Sequence, residues 1–99
     1  MFGLSEQVVE DLRNVFRRYG NLEKVIIFGS RAKGNYREGS DIDLALLGQG
    51  ITFHQLMQVS SDIDDLGLLY KVDLIDYEKK KATPIGRHID RVGQTFWTN

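Results

Sequence analysis

The chain has 99 residues, 41% of them hydrophobic and 27% charged, which suits one modest globular domain spanning 1–99 and excludes the make-up of a disordered segment. Thirteen basic and fourteen acidic residues leave a net charge of -1, so no basic field favours a nucleic-acid partner. The absence of cysteine excludes a disulfide framework and thiolate zinc sites. Met1 to Glu6 lacks a signal-peptide pattern and no apolar run approaches ~18 residues, so a soluble cytoplasmic protein is expected.

In chain order, Leu4, Val8, Leu12, Val15, Phe16 and Tyr19 recur at helical spacing behind Ser5 as N-cap, with Gly20 as the stop. The charged residues between them read as a solvated outer face. Val25-Ile26-Ile27-Phe28 forms a strand buried on both faces, with the strand candidate starting at Lys24. Arg31 to Asn35 has room for about one helical turn, and Tyr36 to Ser40 reads as a turn ending in Gly39 and Ser40. A second strand follows from Ile42 to Leu47. The connection is shorter than the dozen or more residues of a parallel crossover, so these two strands are expected to be antiparallel in a mixed sheet.

Gly48-Gln49-Gly50 breaks the chain, and Thr52-Phe53-His54-Gln55 has capping-box spacing ahead of a helix with Leu56, Val59, Ile63 and Leu66 on one face. Asp62, Asp64 and Asp65 on that helix read as exposed. Leu68 to Asp76 holds a third strand, in which Asp73 faces away from Val72 and Leu74. Glu78 to Lys81 reads as a charged loop. Thr83-Pro84 opens a last helix whose apolar stripe is Ile85, Ile89, Val92 and Phe96. His54 and His88 read as surface or packing histidines, while Phe96 and Trp97 suit either the core or a partner interface.

The stretch from Gly29 to Asp43 carries the chemistry. Asp41 and Asp43 share a strand face about 6.5 to 7 Å apart, and two carboxylates on one face repel unless a cation lies between them. Hard carboxylate oxygens suit Mg²⁺, which fills its remaining positions with water and phosphate oxygens. Gly29 allows close backbone approach, and Ser30 opens a short helix with its first N–H groups free for an anion. The pair is not a P-loop, and the acidic stretch is not an EF-hand.

Gly29-Ser30, ten residues and then Asp41-x-Asp43 resembles the signature of the nucleotidyltransferase superfamily that includes DNA polymerase beta. The short length makes the chain most similar to the minimal nucleotidyltransferases (MNT proteins), antitoxin partners of HEPN toxins. The resemblance implies a small α/β fold with a mixed three- or four-stranded sheet. It also implies Asp41, Asp43 and Asp73 as catalytic and metal-binding carboxylates, with Asp76 a competitor for the third place. Gly29 and Ser30 would hold the β and γ phosphates, and Arg31 is a candidate phosphate cation. The implied reaction uses Mg²⁺ and ATP and transfers AMP to a tyrosine hydroxyl of a HEPN ribonuclease toxin, silencing it. Two alternatives stand beside it, a non-catalytic antitoxin acting by contact and a nucleotidyltransferase with a small-molecule acceptor.

Overall fold

The computed structural model describes residues 1–99 as nine elements: α1 (Glu6–Arg17), β1 (Leu22–Phe28), α2 (Gly29–Lys33), β2 (Ile42–Gly48), α3 (Phe53–Asp64), β3 (Val72–Asp76), α4 (Tyr77–Lys80), α5 (Pro84–Val92) and β4 (Gln94–Thr98). The four strands form one mixed sheet in the order β3-β2-β1-β4. β1 pairs antiparallel with β2 and with β4, while β2 and β3 are parallel. No helix is long and apolar enough to cross a membrane.

Local signals in the sequence set the helix starts. The Ser5 hydroxyl accepts from Val8 N–H at the head of α1, and Thr83 caps α5 with Pro84 in its first turn. Thr52 caps α3 through Gln55 N–H. The capping box is only half made, because the Gln55 amide turns instead to Asn21 in two side-chain hydrogen bonds of 2.6 and 2.7 Å. Each such cap contributes about 1 kcal/mol.

Strand alternation divides the apolar residues between two layers. Ile42, Leu44 and Leu46 of β2 join Val25 and Ile27 of β1, beneath α1 and α3, in the larger core. Phe28, Ala45 and Ile89 form a smaller one under α5 on the opposite face, with Ile26, Ile75 and Tyr77 packed against it.

The C-terminal end differs from the expected helical stripe. α5 stops at Val92, Gly93 is extended, and Phe96 and Trp97 belong to β4. A side chain at Gly93 would collide with Ile26 and with the Ile89 carbonyl, so this glycine lets the chain turn tightly from helix to strand. Val25 pairs with Trp97 and Ile26 with Thr95, leaving Phe96 as the extra residue of a bulge, which lets both aromatics reach the larger core. Phe16 meets Phe96 edge to face at 6.3 Å and Trp97 at 6.0 Å. These residues complete the core and are not an exposed interface.

Three smaller readings also change. Glu78 to Lys80 lie in the helical turn α4, with Asp76 as its cap. β3 begins at Val72, leaving Leu68 to Lys71 outside the strand. Asp62 is half-buried and accepts a hydrogen bond from the Tyr19 hydroxyl; that bond and burial push the tyrosine pKa up to about 12, burial contributing most.

Candidate active site

Three elements meet at one end of the sheet. β1 ends at Phe28 and the chain turns at once into α2; Gly29 is left-handed, at φ 72°. Phe28 pairs in register with Asp43 of β2, and Asp43 pairs in register with Asp73 of β3. Registered partners project to the same side of a sheet, so both carboxylates lie on the α5 face while Ile42, Val72, Leu44 and Leu74 point into the larger core. Asp41 is exposed two residues ahead of Asp43.

The Asp43 carboxylate rests against Gly29: a Cβ at position 29 would overlap Asp43 Oδ2. Glycine is therefore required here both for its backbone angle and for space. Burial pushes the Asp43 carboxyl above the usual aspartate range, and the charges of Asp73 and then Asp41 push it further; His88 and Lys71 pull it back. The repulsion that Asp73 and Asp41 exert on Asp43 is one that a cation would relieve. The three carboxylates are not drawn into a finished cage, since no trio of acidic or histidine groups converges closely enough to hold an ion. The donor set of hard oxygens, with repulsion that a cation would relieve, fits Mg²⁺.

Asp76, the competitor for the third carboxylate, is buried at the far end of β3, where Oδ1 accepts from Glu78 N–H at 3.1 Å. It is a helix cap facing the core, opposite to Asp73.

Arg31 differs from its expected role as a phosphate cation. It is 2% exposed. Nε and Nη2 donate to the Ser40 carbonyl at 3.0 and 2.9 Å, and Nη1 donates to the Phe2 carbonyl at 3.0 Å. Its guanidinium lies 5.2 Å from the Tyr36 ring centroid and 4.9 Å from that of Tyr70. The side chain is committed to protein, tying α2 to the residue just before Asp41. The Ser40 hydroxyl also accepts from Arg37 N–H at 2.8 Å, closing the loop that delivers Asp41.

Two more residues lie at this end, Lys71, to which the sequence assigns no role, and His88, which reads there as a surface or packing histidine. Lys71 Nζ stands 3.6 Å from Asp73 Oδ1 in an exposed pair, and His88 of α5 meets Phe28 edge to face. A lysine before a strand and a histidine one place off an apolar stripe carry no signal that distinguishes them from surface residues.

Residues 10–99 match the family described as Polymerase beta, Nucleotidyltransferase. The chain belongs to this nucleotidyltransferase family. A Methanocaldococcus jannaschii protein, provisionally described as a protein adenylyltransferase, is 42% identical over 43 residues, or 43% of this chain and 41% of that protein. The match thus spans less than half of that relative's length. Among solved structures, a toxin-antitoxin with AMP-PNP contains a chain with TM-score 0.74 and 22% identity, covering 92% of this chain and 73% of that one. A complex of tri-AMPylated Shewanella oneidensis HEPN toxin with MNT antitoxin gives TM-score 0.71 at 18% identity, covering 97% of this chain and 74% of that one. A Sulfolobus solfataricus protein provisionally described as a nucleotidyltransferase gives TM-score 0.58 and 25% identity, covering 98% of this chain and 92% of its own. At identities below a quarter, the two toxin-antitoxin likenesses speak for the shared nucleotidyltransferase fold.

Proposed function

We propose that residues 1–99 act as one nucleotidyltransferase unit that moves AMP from ATP to a tyrosine hydroxyl of a HEPN toxin and thereby neutralises it. The observation that carries this reading is the register pairing of Asp43 with Asp73 beside Gly29, within a chain of the nucleotidyltransferase family. The choice of acceptor is supported by the fold shared with the MNT antitoxin complex and by the M. jannaschii relative. ATP, Mg²⁺ and the toxin are all expected in the cytoplasm.

Asp41, Asp43 and Asp73 would hold Mg²⁺. When bound, the ion supplies charge neutralisation on the phosphates and a lowered pKa for the attacking hydroxyl. Gly29 and Ser30 offer backbone N–H and hydroxyl donors to the β and γ phosphates. The acceptor oxygen forms a bond to the α phosphorus while the bond from that phosphorus to the bridging oxygen breaks, and pyrophosphate leaves. In this reading Asp73 would take the proton released by the acceptor. Arg31 keeps Asp41 in place without touching the nucleotide.

Toxin neutralisation by the wild-type chain and by an Asp41→Ala, Asp43→Ala double variant tests this function. The transfer reading expects the double variant to bind the toxin and fail to neutralise it. Full neutralisation by a folded double variant would instead establish inhibition by contact.

A further inference from the structure

α5 covers the face that carries Asp43 and Asp73, and one of its side chains reaches the reaction end. The His88 and Phe28 rings lie 6.3 Å apart at 79°, edge to face. Phe28 pairs with Asp43 and is followed directly by Gly29, so the imidazole stands over the junction between the Gly29-Ser30 turn and the carboxylates. His88 is half-buried. It is engaged in no hydrogen bond within the fold, and no side-chain nitrogen is sealed away from solvent without a partner; its ring nitrogens are therefore accessible at the site.

Two of the cationic side chains at this end are already engaged. Arg31 is spent on the Ser40 and Phe2 carbonyls, and Lys71 is paired with Asp73. A polyphosphate entering beside Asp41, Asp43 and Asp73 meets three like charges, and it needs donors that the fold has left uncommitted. His88 is such a donor. A purely packing role at position 88 would require only a flat ring against Phe28, without a polar atom.

We propose that His88 is a nucleotide-contacting residue that donates an imidazole N–H to a phosphate oxygen of the bound nucleotide. The assignment rests on the nucleotidyl-transfer reading and adds to it a group outside the Gly-Ser and Asp-x-Asp segments. Equilibrium binding of ATP with Mg²⁺ to the purified chain tests it, using His88→Phe, which keeps the ring against Phe28, and His88→Gln, which retains an N–H donor. The expected result is a Kd raised about tenfold in His88→Phe, with most of the affinity recovered in His88→Gln and unchanged melting temperatures. Wild-type affinity in a folded His88→Phe overturns the assignment and leaves the transfer reading intact. Should His88→Phe not fold, His88→Ala decides by the same comparison. Failure of the wild-type chain to bind ATP at all would contradict the transfer reading itself, and this assignment with it.

Discussion

Gly29 and Asp43 meet across the β1–β2 pair so closely that any side chain at position 29 would displace the carboxylate. The left-handed backbone at Gly29, φ 72°, adds a conformational cost of about 1–2 kcal/mol for an L-residue. Gly29→Ala is therefore expected to lower stability by roughly that amount. It should also lower the transfer rate about 100-fold or more, because a carboxylate displaced by about an ångström no longer meets its substrate correctly. Thermal melting and turnover measured on the same preparation check both effects.

Asp43 also sets a pH dependence. Folding raises its pKa, first by burial and then through Asp73 and Asp41, so the folded chain keeps this proton to higher pH than the unfolded chain. The group leaves stability unchanged below its unfolded pKa, lowers it as pH rises toward the folded pKa, and leaves it reduced above that value. Asp43→Asn removes the penalty. In a metal chelator at neutral pH, this variant should melt above wild type, with the gap closing toward acid pH. Added Mg²⁺ should stabilise wild type more than the variant.

The two aspartates of β3 separate function from structure. Asp73 lies on the sheet face shared with Asp43, whereas Asp76 is buried and caps α4. Asp73→Asn should abolish transfer while leaving the melting temperature near that of wild type. Asp76→Ala should cost about 1–2 kcal/mol of stability through the lost cap, and the folded fraction should retain its activity.

Arg31→Lys keeps the charge and loses the planar fork that grips the Ser40 carbonyl. It is expected to destabilise the fold by about 1–3 kcal/mol and to lower kcat by releasing Asp41. KM for ATP should stay close to wild type. A large rise in that KM at unchanged kcat would return Arg31 to the phosphate-binding role.

Much of this arrangement could be read from the chain because strand alternation is a strict rule. A short apolar strand ending in Gly-Ser, an Asp-x-Asp at the head of another, and one aspartate inside an apolar third strand determine which side chains share a face. The antiparallel pairing of β1 with β2 follows from the short connection, and the family resemblance implies it as well. β4 was hidden because Phe96 falls at helical spacing from Ile89 and Val92, and the decisive contact, Gly93 against Ile26, is tertiary. Arg31 is ambiguous in the sequence for a similar reason, since a cation after a Gly-Ser turn has the same spacing whether it points toward a ligand or into backbone carbonyls. His88 depends on which α5 side chain lies over Phe28, and only packing determines that.

The most direct measurement incubates the chain with Mg²⁺, a HEPN toxin as the proposed partner and ATP labelled in parallel at the α or the γ phosphate. AMP transfer predicts label on the partner's tyrosine from α-labelled ATP alone, and none with the Asp41→Ala, Asp43→Ala variant. Label from γ-labelled ATP, or no label on a partner that is nonetheless bound and neutralised, would contradict it.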